Sequence, residues 1–314
     1  MKIYDIDFSI GLFLAPLSGY TNWPLRVLCR RYGAELAYTE MISSTGLLRR
    51  EKSSMRILER PPEDRPLIAQ IFSSNPQESA LAARFLQHEG FDGIDINMGC
   101  PAKKVVSKGS GAALMKDVAQ AQAMVEAVVE AVNLPVSVKM RAGWDPSCLN
   151  ADHLARLLVE KGAGCIIIHP RARSDLYQGL PQWEVLERLR RAVDVPIIAS
   201  GNIATRPDLE QIKALGADAF LIGRAAIGRP WIFRELTGGD VPALSERRDV
   251  MLEHLDMLCT FFGEDKGVRS MRKFLSAYVR GLPGAARFRD TVCTLEETRA
   301  LELHINAFFA ELPD

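Results

Sequence analysis

The sequence predicts an α/β fold: a (β/α)8 barrel, the TIM-barrel architecture, followed by a small all-helical C-terminal domain. Two observations carry this. Eight short apolar runs alternate with longer amphipathic stretches over the first two-thirds of the chain. The alternation then stops after Trp231, and from Leu244 onward the pattern has helical period with no strand-like run. Length agrees, since 314 residues suit such a barrel with an accessory domain.

The apolar runs cover residues 12–17, 36–40, 67–72, 93–97, 136–140, 165–169, 196–200 and 219–223. Strands of a parallel sheet are buried on both faces and so read as continuous apolar runs. Between them lie helical patterns at 76–88, 118–132, 151–161, 183–192 and 207–215, with Gly or Pro at many joins. An open doubly wound sheet is the alternative, but no G-x-G-x-x-G follows the first run. These patterns predict a catalytic barrel over 1–236, a linker at 237–242, and a helical domain over 243–314. Ser245 is the expected N-cap of the first helix of that domain, and Gly281-Leu282-Pro283-Gly284 an expected break between helices.

Composition narrows the function. At 47% hydrophobic and 25% charged, the chain is an ordinary globular protein. With 39 basic and 39 acidic residues, the overall charge does not draw it to nucleic acid, so RNA binding would need a local patch. Cys29, Cys100, Cys148, Cys165, Cys259 and Cys293 form no C-x-x-C pair, and their spacing suits neither zinc nor an iron–sulfur cluster. Free thiols and the N-terminus MKIYDIDFSI, with no basic n-region and no long apolar run, predict a cytoplasmic protein. No segment reaches the ~18 consecutive apolar residues of a membrane span, so no membrane partner is expected.

In a barrel of this kind chemistry gathers where strands end. The ends here deliver Pro16-Leu17-Ser18, Glu40-Met41, Gln70, Asn97 through Pro101, Lys139 and Arg141, His169 with Arg171 and Arg173, Ser200-Gly201-Asn202, and Gly223-Arg224. Bare backbone at Gly201 and Gly223, with Arg224, suits a phosphate, so a phosphorylated cofactor is expected. Lys139 and His169 suit the N1–C2=O2 edge of a reduced flavin, where negative charge collects, and Gln70 its pyrimidine edge. Structural polar residues at the barrel mouth are the alternative reading of these side chains.

The segment Asp95-Ile96-Asn97-Met98-Gly99-Cys100-Pro101, then Lys103-Lys104-Val105 and a glycine-rich stretch to Leu114, resembles the signature of the tRNA-dihydrouridine synthases. Matching segments include Leu14-Ala15-Pro16-Leu17-Ser18-Gly19, Gln70 in Ala-Gln-Ile-Phe, and Lys139 in Val-Lys-Met-Arg. His169, Gly223-Arg224 and Gly281-Leu282-Pro283-Gly284-Ala285 match as well. The likeness runs from about residue 12 to about 290 and is nearest the bacterial B-type subfamily. It implies an FMN-bound barrel, NADPH as reductant, and a D-loop uridine of tRNA as substrate, the helical domain binding the tRNA. It implies Cys100 as catalytic acid. It implies flavin contacts from Pro16, Leu17, Ser18, Gln70, Lys139, His169, Ser200, Gly201, Asn202, Gly223 and Arg224, and contacts to the target base from Asn97 and Arg171. Ser200-Gly201-Asn202 stands where the family often has Asn-Gly-Asp, and Pro170 where it often has Gly.

The implied chemistry suits these residues. Reducing the uracil C5=C6 bond takes a hydride at C6 and a proton at C5. A thiol with an ordinary pKa of ~8.5 is mostly protonated at neutral pH and serves as an acid untuned. No His lies within ten residues of Cys100 to strip its proton, unlike the setting of a nucleophilic thiol. A base inside tRNA must be flipped out to be reached, and residues 107–111 are glycine-rich enough to move. Lys266, Arg269, Arg272, Lys273, Arg280, Arg287 and Arg289 form a stretch without an acid. Arg269, Arg272, Lys273 and Arg280, joined by Lys103 and Lys108, are the expected phosphate contacts. A solvated helix face is the plainer reading of that stretch. The expected protein is monomeric and metal-free. Two competing readings remain: a flavin oxidoreductase of a free pyrimidine, like dihydroorotate dehydrogenases, and a non-catalytic RNA-binding barrel.

Overall fold

The computed structural model describes residues 1–313. These separate into two compact units, Met1–Asn22 with Ala34–Gly223, and Trp23–Gly33 with Arg224–Asp314, the last residue lying outside the described ones. The sequence places the domains at 1–236 and 243–314. The division instead falls at Gly223 and draws Trp23–Gly33 into the second unit.

The first unit is a closed barrel of eight parallel strands. They are β1 (Leu12–Leu14), β2 (Leu36–Tyr38), β3 (Leu67–Phe72), β4 (Gly93–Met98), β5 (Val136–Gly143), β6 (Cys165–Ala172), β7 (Ile197–Ser200) and β8 (Ala219–Ile222). Each pairs in parallel with its sequence neighbour, and β8 closes on β1 with Leu221 opposite Phe13. All eight expected strands are present, within a few residues at their ends. The helices between them start where capping chemistry allows. Asn75 and Asp117 accept the backbone N–H of Glu78 and Gln120. Thr205 and Asp208 form a capping box.

Register decides which side chains share a level inside the barrel. Gln70, Asp95, Ser137 and Cys165 align across β3 to β6. Because strand side chains alternate in direction, Asn97 beside Lys139, and Arg141 beside His169, form the next levels toward the C-terminal mouth. The other end is closed by a feature without a sequence signal. An antiparallel hairpin, Lys2–Ile3 with Ile6–Asp7, puts Ile3, Tyr4 and Phe8 among Phe13, Leu36, Tyr38, Ile68, Ile198 and Leu221. The barrel is therefore packed from below and open to chemistry only above.

The second unit is helical: α1 (Trp23–Arg31), then Ile232–Leu236, α2 (Leu244–Phe262), α3 (Glu264–Tyr278), α4 (Ala285–Val292) and α5 (Thr298–Ala310). Arg31 pairs with Glu253, Tyr32 Oη donates to Glu246 at 2.8 Å, and Trp23 meets Phe261 edge-on. The expected break is present between α3 and α4, with Gly281 at φ 82° and Gly284 at φ 73°. Ser245 is not the N-cap: α2 begins at Leu244, and its cap position, Ala243, has no side chain that can accept a bond. Among the described residues no helix is long and apolar enough to cross a membrane.

Candidate active site

The upper part of the barrel collects Lys139 and His169 from within β5 and β6, with Cys100, Ser200, Gly201 and Gly223 at the ends of β4, β7 and β8. Cys100 is half-buried just past β4, and its main chain is clamped at both ends. Its N–H donates to Asn97 Oδ1 at 2.9 Å, and its carbonyl accepts from the Ala112 N–H at 3.1 Å. Gly111, at φ 61°, lies so close that a Cβ there would stand 2.8 Å from the Cys100 carbonyl oxygen. Residues 103–116 are wound into two short helical turns on this clamp.

Lys139 rises from the middle of β5 with Asp95 on the level below. Desolvation at the mouth pulls its ammonium down to about 8, against an upward pull from the Asp95 carboxylate. Burial pushes Asp95 itself up to about 6, while Ser137 and Gln70, hydrogen-bonded to it, and then Lys139 pull it down. Cys100 lies within electrostatic reach of both Lys139 and Arg141. His169 is 8% exposed, and Gly201, at φ 125°, faces it. A Cβ at Gly201 would stand 3.2 Å from His169 Nε2, so the glycine leaves the imidazole room.

Several of the expected site residues also hold the structure together. Gln70 Nε2 donates to Asp95 Oδ2 at 2.6 Å, and its Oε1 accepts from Asn97 Nδ2 at 2.8 Å. Asn97 turns its own oxygen to Gly99 and Cys100. Arg171 is 1% exposed and donates to the carbonyls of Gln178 (3.0 Å) and Gly179 (2.7 Å). Leu17 N–H donates to Thr21 Oγ1 at 2.9 Å, and Gly19 N–H to Glu40, which shapes the loop carrying Pro16 and Ser18. Asn202 takes φ 51° and is exposed. Arg224 opens a short 3-10 turn in the other unit and is exposed.

The expected RNA contacts also divide. Lys103, Lys108, Arg269 and Arg280 are exposed. Arg272 is half-buried and donates to the Leu295 carbonyl at 2.8 Å, and Lys273 stands 5.2 Å from the Phe274 ring.

Arg141 has a role the sequence did not assign. At 2% exposure its Nε donates to Gly99 O (2.9 Å) and its Nη1 to Ala172 O (2.9 Å) and Leu176 O (2.7 Å). It thus ties the Cys100 loop to the loop after β6, while Arg171 ties down the far end of that loop. This holds Tyr177 with its ring 6.2 Å from His169, edge to face, and 5.2 Å from the Arg141 guanidinium. Asp95 was also unassigned, although it shares the inward phase of its strand with Asn97. That alternation was the available signal.

A family model described as Dihydrouridine synthase matches residues 13–311. The chain is 42% identical over 308 residues to the tRNA-dihydrouridine synthase B of Pseudomonas aeruginosa, covering 96% of this chain and 93% of that protein. It is 42% identical over 322 residues to the tRNA-dihydrouridine synthase B of Pseudomonas putida, covering 99% and 95%. It is 36% identical over 321 residues to a probable tRNA-dihydrouridine synthase of Rickettsia conorii, covering 99% and 97%. Among solved structures, morphinone reductase shares the fold, with a TM-score of 0.53 at 13% identity over 74% of this chain and 87% of that one.

Proposed function

The chain belongs to the dihydrouridine synthase family, and from that premise we propose that it reduces a D-loop uridine of tRNA to 5,6-dihydrouridine. The observation that carries the reading is the pairing of a clamped thiol, Cys100, with a cation and an imidazole at one barrel mouth.

The mouth suits FMN. Gly201 leaves a hollow against His169 that a single methyl would fill. Gly223 offers bare backbone at the end of β8, where barrels commonly hold phosphate. Lys139 and His169 would hold the N1–C2=O2 edge, Gln70 the pyrimidine edge, and Pro16, Leu17, Ser18, Ser200, Asn202 and Arg224 the remainder. When bound, the flavin supplies a hydride for uracil C6, having drawn it from NADPH. Cys100 gives its thiol proton to C5, and the charge that develops at O4 is quenched as that bond forms. The close Gly111 contact and the Arg141 tie to the Gly99 carbonyl brace the main chain that carries the thiol for this transfer. Asn97 and Arg171 meet the flipped base. Lys103, Lys108, Arg269, Arg272, Lys273 and Arg280 meet the tRNA backbone, in a cytoplasmic, monomeric enzyme that needs no metal.

The test is direct. The purified protein, reduced anaerobically, is mixed with tRNA lacking dihydrouridine, or with free uridine. Flavin reoxidation by the tRNA alone, with new dihydrouridine mapped to the D-loop, is the expected result. Reoxidation by free pyrimidine and not by tRNA would replace this reading with the small-substrate one. A colourless protein that binds tRNA would replace it with the non-catalytic one.

A further inference from the structure

One buried line of hydrogen bonds runs up the barrel axis, and its direction is set at one residue. Tyr4 Oη donates to Ser137 Oγ at 2.6 Å, and Ser137 Oγ donates to Asp95 Oδ1 at 2.6 Å. Asp95 is 0% exposed and has no ion pair within bonding distance among the described residues. Its second oxygen takes Gln70 Nε2, Gln70 Oε1 takes Asn97 Nδ2, and Asn97 Oδ1 takes the N–H groups of Gly99 (3.1 Å) and Cys100 (2.9 Å).

Gln and Asn amides are two-faced, so each could sit either way round. An ionised carboxylate only accepts, so Gln70 must turn its NH2 downward and its oxygen upward. Asn97 must then turn its NH2 toward Gln70, which leaves its oxygen facing the loop. The reversed polarity would set the Asn97 NH2 against two backbone donors and leave three donors unpaired. A donor left unpaired away from water loses its hydration with nothing in return, so the observed polarity is the favoured one.

We propose that Asp95 is a positioning residue: as an acceptor-only group at the root of the Gln70–Asn97 relay, it fixes the polarity that holds the Cys100 loop in place. The inference rests on Cys100 as proton donor for its effect on turnover, but not for its effect on the loop.

Two substitutions separate acceptor from charge. Asp95→Leu removes the acceptor, and both amides lose their bias. Asp95→Asn keeps one oxygen. Its NH2 can donate to Ser137 Oγ, whose proton turns to Tyr4 Oη, whose proton turns in turn to Tyr38 Oη, 2.7 Å away. The oxygen then stays on Gln70, and the relay keeps its direction.

The first readout is the alkylation rate of Cys100 by iodoacetamide, relative to the exposed Cys148 and Cys293 in the same flavin-loaded molecule. The second is flavin reoxidation by tRNA, resolved into kcat and KM. Asp95→Leu should raise relative Cys100 alkylation several-fold. It should lower kcat by about a hundredfold, as a misplacement of roughly 1 Å does, while KM for tRNA holds. Asp95→Asn should recover most of both. Should Asp95→Leu not fold, Gln70→Met breaks the same line one link higher and must raise Cys100 alkylation alike. The proposal is overturned if the broken relay leaves Cys100 alkylation at the wild-type ratio, or if Asp95→Asn is as impaired as Asp95→Leu at full flavin content. If the wild type fails to reduce tRNA, the functional reading falls, and the alkylation ratio still decides the relay.

Discussion

Gly201 and Gly223 sit at adjacent strand ends, and substitution with Ala should destabilise the free protein at the first and leave it unchanged at the second. At Gly201 the backbone is at φ 125°, which L side chains rarely adopt, and a Cβ would meet His169 Nε2 at 3.2 Å and Cδ2 at 3.3 Å. Backbone strain of this kind costs about 1–3 kcal/mol. In a domain of this size that lowers Tm by roughly 2–10 °C. The imidazole must also give way by a few tenths of an ångström. At Gly223 the nearest atoms to a Cβ are Ala15 Cβ at 3.7 Å and Leu17 Cδ2 at 3.8 Å, both ordinary contacts. Gly223→Ala should therefore leave the Tm of the flavin-free protein unchanged. If a phosphate is cradled on that backbone, however, the methyl occupies its place, and FMN affinity should fall about tenfold or more, a loss of about 1.4 kcal/mol. The assay is thermal melting of the stripped protein together with titration of FMN by fluorescence quenching. Wild-type FMN affinity in Gly223→Ala would refute the cradle. An unchanged Tm in Gly201→Ala would refute the strain argument.

Cys100→Ala should bind flavin normally and accept electrons from NADPH, yet lose about 10²–10⁴-fold in tRNA-driven reoxidation; full turnover would remove the thiol from the mechanism. Arg269→Glu with Arg280→Glu, both exposed, should weaken tRNA binding and flatten its salt dependence by roughly one unit for each phosphate no longer neutralised; an unchanged slope would return these residues to an ordinary solvated face. Arg272 is the poorer probe, since its tie to Leu295 makes loss of folding and loss of binding look alike. Burial first, and then the nearby Lys273 charge, pull His254 down to about 3 from an ordinary 6.5. The unfolded chain thus takes up this proton before the folded one. Stability should fall as pH drops from about 6.5 toward 3, at up to about 1.4 kcal/mol per pH unit from this group. Urea melts of His254→Phe should show a shallower acid limb, and parallel limbs would exclude the histidine as the cause.

The barrel was legible because parallel strands leave a plain trace: residues 67–72 and 76–88 needed no correction against β3 and the helix that follows it. The strand-end side chains were legible for the same reason. What they hold was not. Arg141 and Arg171 bond loop carbonyls, and a carbonyl is the same at every residue, so no pattern marks those partners. The place of α1 was hidden by distance along the chain, since its partners Glu253 and Phe261 come more than two hundred residues later. The Tyr4 hairpin has strands two residues long, too short to show any period.

The pairing of β8 with β1 bears on how the chain is made. Leu12 to Leu14 have no partner on one side until Phe220 to Ile222 exist. At about 5–20 residues per second, that is a wait of roughly 10–40 s on the ribosome. Throughout it, the first strand presents an apolar, unpaired edge, and the hairpin lacks Ala219 and Leu221 among the residues it packs with. Closure of this barrel is thus a late step of synthesis. A substitution that slows it would show as lost yield from the cell before it showed in the melting curve of whatever protein survives.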